Sequence, residues 1–356
     1  MNVPMRGLLS TKELGVGAGA WFDNLTITMV TKRALMRAVR LHELGGPDDL
    51  VLEEIPIPRA GEGEAVVRVR AAALNHRDLF ITQGRYAGIQ LPRTLGADAA
   101  GEFDGKAVLI DPTIGWGSDP RAWAPEATIL GMPRDGTFAE FVAVPAGNVH
   151  PKPEHLSFEE AAALPLAGVT AFRALFTRGE LQGGETVLIT GAGGGVQTFV
   201  LLFAKAAGAR IIATTTSSEK IAKARELGAD EVLDYGNEEW HKTSRGTRID
   251  LVVDSTGGET FVKGLSTLRR GGRAVTYGGT TGDAKLRMYS VFWNQLDVRG
   301  TSMGSPSDFA AMLQFVRKHS IRPVIDGVYP LQEIRSAMFR MSEAQQFGRI
   351  VLRVSG

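Results

Sequence analysis

The sequence predicts an α/β protein in two parts, one rich in β-strands and one a doubly wound parallel sheet covered by helices. Three observations predict it. From about residue 159, strand-like and helix-like segments alternate with short connections, as they do where helical crossovers link parallel strands. Before that point the repeat is the two-residue period of strands. The length, 356 residues, suits about two domains.

The elements follow in order. Residues 1–35 lack the compact apolar centre of a signal peptide, and a regular pattern begins only at Met36 (MRAVRLHELGG). We read 1–35 as a disordered N-terminal extension, with Met36 as a possible true start. EAVVRVRAAAL sets Val67 and Val69 on one face and Arg68 and Arg70 on the other. GKAVLIDP and GTFAEFVAVP read as short strands bounded by Gly and Pro. PTIGWGSDPRAWAPEATILGMPRDG, between them, has no periodicity and reads as a long surface loop.

HLSFEEAAALPLAGVTAFRALF is helical, with Ser157 as N-cap and Glu160 completing a capping box. The strand TVLIT then runs into GAGGGVQTFVLLFAKAAG, and RIIATTT, SSEKIAKARELG and EVLDY continue the alternation. RIDLVVDSTGG, TFVKGLSTLRRGG and RAVTYGG complete it. From about Pro306 come a helix (SDFAAMLQFVRKH), a strand (IRPVIDGVYP), a second helix and GRIVLRV, which could return to the first part.

Composition excludes several functions. The net charge is +1 with both signs interspersed, so no basic field points to nucleic acid or an anionic membrane. No apolar run approaches a membrane span. Cysteine is absent, which removes disulfides, thiol nucleophiles and thiolate metal sites.

TVLITGAGGGVQTFV has the strand, glycine turn and helix that a pyrophosphate needs: glycines admit the backbone, and the helix N-terminus offers N–H groups. Gly193, Gly194, Gly195 and Val196 are the phosphate-facing residues. Gln197 stands where the fingerprint has its last glycine, so the helix is expected slightly further from the strand. At the tip of the second strand an NAD site carries Asp or Glu; here stand Thr214, Thr215, Thr216, Ser217 and Ser218, then Glu219 and Lys220. Hydroxyls and a lysine suit a 2′-phosphate, so the expected cofactor is NADPH, with Ser217 and Lys220 as its contacts. A charge-assisted bond of this kind is worth about 1.5–3 kcal/mol. Ser217 as a simple helix cap beside a solvated Lys220 is the plainer alternative, and capping and phosphate binding can coexist.

AAALNHRDLF, GRY, LGADAAGE, DGTFAEFV, LSFEEAAALPLAGVTAFRAL, the glycine turn, ARELGADEVLDY and FGRIVL occur in that order. With them the chain, from Met36 to its end, resembles the zinc-free medium-chain dehydrogenases/reductases of the quinone oxidoreductase-like branch. The resemblance implies a GroES-like catalytic domain of residues 36–158 and 320–356, interrupted by a Rossmann NADPH-binding domain of residues 159–319, with the active site in the cleft. It puts Lys220 and Tyr235 where relatives hold the 2′-phosphate, and Thr170 beside the nicotinamide. Gly278 and Gly279 of YGGTTG and Thr301 of RGTSMG would lie along the cofactor. It implies a homodimer or homotetramer and a cytoplasmic protein.

Zinc-dependent relatives carry Cys, His and Cys where this sequence has Asn75, Ala97 and Ala167, and the structural-zinc lobe near residues 111–136 has no cysteine. The expected metal is therefore none. Two stretches depart from the pattern: the connection inside AAGEFDGKAVLI is short, and the loop of residues 116–123 resembles zinc-lobe remnants of another branch.

Without a Lewis acid, hydride transfer is expected to an acceptor already electron-poor, a quinone or an α,β-unsaturated carbonyl. Asn75 is the candidate polar cleft group, or else holds a strand end. Tyr86 is the candidate donor or pocket wall, or else packing. His76 and Asp78 read as structural hydrogen-bonding groups, and Phe292 and Trp293 as core rather than pocket. Two other functions stay open: a zinc-independent alcohol or carbonyl dehydrogenase, and a non-enzymatic NADPH-binding or sensor protein.

Overall fold

The computed structural model describes residues 34–243 and 248–355. The expected N-terminal extension lies, as far as residue 33, outside the described residues.

The first part contains β1 (Leu35–Leu41), β2 (Leu50–Pro56), β3 (Glu64–Ala73) and α1 (His76–Thr82). After these come β4 (Arg93–Thr94), β5 (Asp98–Phe103), β6 (Lys106–Ile110), β7 (Thr113–Ile114), β8 (Thr128–Ile129), β9 (Phe141–Pro145) and β10 (Val149–Pro151). The alternation of β3 buries Ala65, Val67 and Val69 and exposes Arg68. Its first half pairs antiparallel with β9 and its second with β5, across a bulge between Val69 and Ala71. Gly101 lies opposite that irregularity, where a Cβ would run into the carbonyl oxygen of Arg68. Asp104 and Gly105, with φ of 49° and 70°, turn β5 into β6 as a two-residue hairpin. The short connection inside AAGEFDGKAVLI is thus a tight turn between paired strands.

Ser157 Oγ accepts the Glu160 N–H at 3.1 Å, and the Glu160 carboxylate accepts the Ser157 N–H at 2.8 Å, which starts α2 (Phe158–Ala163). Pro165 ends that helix and begins α3 (Pro165–Phe172), which runs on into a π-helical turn, Arg173–Arg178. Strands and helices then alternate: β11 (Thr186–Ile189), α4 (Gly195–Ala206), β12 (Arg210–Thr215), α5 (Ser218–Glu226), β13 (Glu231–Asp234) and α6 (Trp240–Thr243). They continue as β14 (Ile249–Asp254), α7 (Gly258–Thr267), β15 (Leu268–Thr276), α8 (Met288–Trp293), β16 (Asp297–Gly300) and α9 (Pro306–Lys318). The six strands pair in parallel in the order β13-β12-β11-β14-β15-β16, the doubly wound arrangement with its switch point between β11 and β14.

The last elements are β17 (Ile325–Pro330), α10 (Ile334–Ser342) and β18 (Arg349–Arg353). β18 pairs antiparallel with β3 and parallel with β17, so it lies in the sheet of the first part. One apolar core runs between the sheets: Ala71, Ala73 and Ala100 meet Ala161, Ala162 and Ala163 of α2, and α3 carries the contact on to α4 and β11. The rings of Phe172, Phe176, Phe203 and Phe315, 4.9–6.3 Å apart, fasten α3 to α4 and α9. Phe203 is fully buried, worth about 1.5–3 kcal/mol, and the other three rings are partly buried around it.

Two expectations are corrected. The segment after Pro112 is a surface loop only between residues 117 and 126, which are mostly exposed; its two ends pair as the β7–β8 ribbon and bury Trp116, Ile129, Leu130 and Met132. Phe292 and Trp293 are not core, being 62% and 55% exposed. No helix among the described residues is long and apolar enough to cross a membrane.

Candidate active site

Serines cap α2, α5 and α9, whereas the N-cap of α4 is Gly194, which has no side chain to offer. The N–H groups of Gly195, Val196 and Gln197, in the first turn, are therefore left for an anion. Two of the turn's glycines also answer to packing within the chain. A Cβ on Gly193 would stand 3.2 Å from Lys220, and one on Gly195 2.9 Å from Arg349. Gln197 is buried, and its Nε2 donates to Thr190 O at 2.6 Å and Ser255 Oγ at 3.1 Å. The 2.6 Å approach to a carbonyl fixes which end of the amide is nitrogen.

The other cofactor candidates gather at the carboxyl ends of the parallel strands. Ser217 Oγ accepts the Lys220 N–H at 3.1 Å, and the Tyr235 N–H donates to Thr215 O at 3.2 Å, which brings all three to the end of β12. The Lys220 ammonium donates to Ala344 O at 2.7 Å, and burial holds its pKa below the usual lysine value. Asp234, opposite Thr215, accepts the Gly236 N–H at 2.9 Å. At β15, a Cβ on Gly278 would meet Ser255 O at 2.6 Å, while Gly279 follows in the open. The Thr301 N–H donates to Thr276 O at 2.9 Å, and its buried Oγ1 has no partner among the described residues. An orphaned hydroxyl at this edge, with an uncapped helix, fits a dinucleotide. Thr170 is buried on α3, its hydroxyl donating to Leu166 O at 2.8 Å.

Sequence reasoning missed Asp254. Its buried carboxylate accepts from Thr190 Oγ1 at 2.6 Å, Thr256 Oγ1 at 2.7 Å and the Gly257 N–H at 2.8 Å, which joins the ends of β11 and β14. The signal was a carboxylate closing a run of buried strand residues, where only hydrogen bonds make a charge tolerable.

Asn75 is buried between the end of β3 and the start of α1: Nδ2 donates to Asp98 Oδ2 at 3.0 Å, and Oδ1 accepts from Arg349 Nη1 at 3.0 Å. Asp98 Oδ2 also takes Arg349 Nη2 at 2.6 Å, and Oδ1 takes the Leu166 N–H at 2.8 Å. Burial raises the Asp98 pKa and lowers that of Arg349, each opposed by the other's charge. Asp78 accepts the Asn75 N–H at 2.8 Å, and burial lifts its pKa to about 6. His76 is exposed; desolvation, then the Arg349 charge, lowers its pKa. Tyr86 is half-buried under the Arg77 guanidinium, and its oxygen accepts from Arg77 Nε at 3.4 Å.

The positions that the resemblance pairs with zinc ligands hold an amide engaged at both ends and the buried methyls of Ala97 and Ala167. These residues do not fit a catalytic zinc, which takes three nitrogen, sulfur or oxygen ligands. Among the described residues no other group of three His, Asp or Glu side chains is gathered to hold a metal.

Comparison with known proteins supports the two-part fold. Residues 61–154 match the family model described as alcohol dehydrogenase GroES-like domain, and residues 195–318 match zinc-binding dehydrogenase. The chain is 34% identical over 338 residues to the zinc-type alcohol dehydrogenase-like protein YogA of Leptosphaeria maculans, covering 86% of this chain and 94% of that one. It is 30% identical to the quinone oxidoreductase of Mus musculus, over 87% of this chain and 95% of that one. A crystal structure of an NAD-dependent alcohol dehydrogenase superposes with a TM-score of 0.85 at 36% identity, covering 90% of this chain and all of that one.

Proposed function

Since the chain belongs to the medium-chain dehydrogenase/reductase family, oxidoreductases that work with a nicotinamide cofactor, we propose that it uses NADPH to reduce a quinone or an α,β-unsaturated carbonyl without zinc. The observation that carries this reading is the donor set at the metal positions, Asn75, Ala97 and Ala167. A site without a Lewis acid suits an acceptor that is already electron-poor. NADPH, when bound, supplies the hydride.

The chain's own residues bind and orient. Gly193, Gly194, Gly195 and Val196 take the diphosphate on the first turn of α4. Ser217, Lys220 and Tyr235 take the 2′-phosphate, a role supported by the lack of a carboxylate among residues 214–218. Thr170, Gly278, Gly279 and Thr301 border the nicotinamide half. Asn75 serves as a positioning residue for Asp98 and Arg349. Tyr86, whose oxygen accepts from Arg77, donates its O–H to the acceptor's carbonyl oxygen as charge develops there. The reading includes a homodimer or homotetramer. Met288, Tyr289, Phe292 and Trp293 are 55–63% exposed on a helix with no buried residue, beside the free edge of β16.

Oxidation of NADPH and of NADH by the purified protein in EDTA, against one quinone, one enone and one aldehyde, tests the reading. NADPH consumption with quinone or enone is expected. Turnover of aldehyde alone would promote the second reading, a zinc-independent alcohol or carbonyl dehydrogenase, which the names of similar proteins favour. Tight NADPH binding with no turnover would leave a sensor. Lys220→Ala should weaken NADPH roughly ten- to hundredfold more than NADH, and equal weakening would remove Lys220 from the phosphate pocket.

A further inference from the structure

Replacing an imidazole by a methyl leaves a hole unless something fills it, because protein interiors are close-packed. At Ala97 the filler is identifiable: Ala97, 0% exposed, clusters with Trp116, Ile129 and Met303, and Leu166 packs against them. Three residues that the proposed reading places at or behind the reaction centre have neighbours there. Ala97 adjoins Asp98, which binds Asn75 and the Leu166 N–H. Leu166 lies one turn before Thr170 and accepts its hydroxyl. Met303 lies two residues beyond Thr301. Trp116 is the largest side chain in the cluster.

The indole is also fixed from behind. The Arg173 guanidinium lies 4.9 Å over its ring and donates to Pro120 O at 2.9 Å and Arg121 O at 2.8 Å. Arg173 itself is anchored on Asp308 at 2.5 Å, and Asp308 is held by Ser305 Oγ and Thr177 Oγ1, each at 2.6 Å. Trp116 Nε1 donates to Asp119 O at 2.9 Å. A ring held at its edge and on one face is a fixed wall.

We propose that Trp116 is the end wall of the acceptor pocket and sets the size of molecule that receives the hydride. Arg173 acts through Trp116 as its positioning residue. This rests on the reading of the cleft as the place of hydride transfer.

The test uses 1,4-benzoquinone, 1,4-naphthoquinone and 9,10-phenanthrenequinone with wild type, Trp116→Ala, Trp116→Phe and Arg173→Lys. No cysteine is present for a quinone to alkylate. In Trp116→Ala, kcat/KM for phenanthrenequinone relative to benzoquinone should rise roughly tenfold or more, through KM for the larger quinone, with KM for NADPH unchanged. Trp116→Phe and Arg173→Lys should move the ratio the same way by less, and they carry the test if the alanine variant does not fold. An unchanged ratio, or a uniform loss on every quinone, overturns the proposal. Binding is read apart from turnover by titrating the same quinones into NADP+-loaded protein, where the affinity ratio should shift likewise. Quinones that bind with this shift but are not reduced leave the wall standing and sink the proposed activity; quinones that bind neither protein overturn both.

Discussion

Asp111, a carboxyl sunk just beyond β6, is 2% exposed and accepts the Thr113 N–H at 2.9 Å. Burial lifts its pKa to about 7 against the pull of Thr113, and the charge of Asp98 adds to the rise. Its folded pKa stands above its unfolded one, so between those values the native state holds the proton that the unfolded state has lost. Stability therefore falls as pH rises from about 4 through about 7. Asp111→Asn should flatten that slope and stabilise the protein at pH 8 by on the order of 2–4 kcal/mol, while leaving it unchanged near pH 4. Parallel melting-temperature profiles for the two proteins would show that Asp111 does not titrate with folding. At this scale the sequence was legible where partners are close along the chain, as in the Ser157–Glu160 box and the Ser217 cap of α5. It was opaque where they are distant. Arg349 and Asp98 are 251 residues apart, so the sequence left Asn75 open between a cleft group and the holder of a strand end and could not show its amide engaged at both ends.

Periodicity made β3 readable, because its burial alternates along the strand, and continuous apolar runs did the same for β11, β12 and β14, which are buried almost throughout. The β7–β8 ribbon escaped for the opposite reason. Its strands are two residues long, and Trp116 is buried by Arg173 from another element. Backbone proximity is likewise invisible in a sequence until sheets are paired, and Gly101 is the sharpest case. Gly101→Ala should cost about 1–3 kcal/mol or more by forcing β5 off β3. The check is a lower urea midpoint with an unchanged slope. Gly147, where a Cβ meets nothing within 4 Å, is the control, and Gly147→Ala should stay within about 0.5 kcal/mol of wild type.

For the whole molecule, the two-part architecture followed from the alternation after residue 159, while the return of the last strands to the first sheet was suggested chiefly by resemblance. No local pattern announces that β18 pairs with β3. Self-association belongs to this scale as well. Phe292→Ser with Trp293→Ser, both on the exposed face of α8, should turn a dimer or tetramer into a smaller species by light scattering, with NADPH binding retained. An unchanged mass would place the contact elsewhere.

The seat of β18 between β3 and β17 also orders events in time. A ribosome delivers about 5–20 residues per second, so the edge of β3 at Ala71, Ala72 and Ala73 waits on the order of tens of seconds for Val351 and Leu352 to emerge. The six parallel strands, contiguous from β11 to β16, need no such wait and can close first. The half that holds Asn75 and Asp98 is thus the last to be finished, and Arg349, at the head of β18, locks it as it arrives. Until then β3 offers a bare edge to any neighbouring chain, so slow or interrupted synthesis is when this protein is most exposed to aggregation.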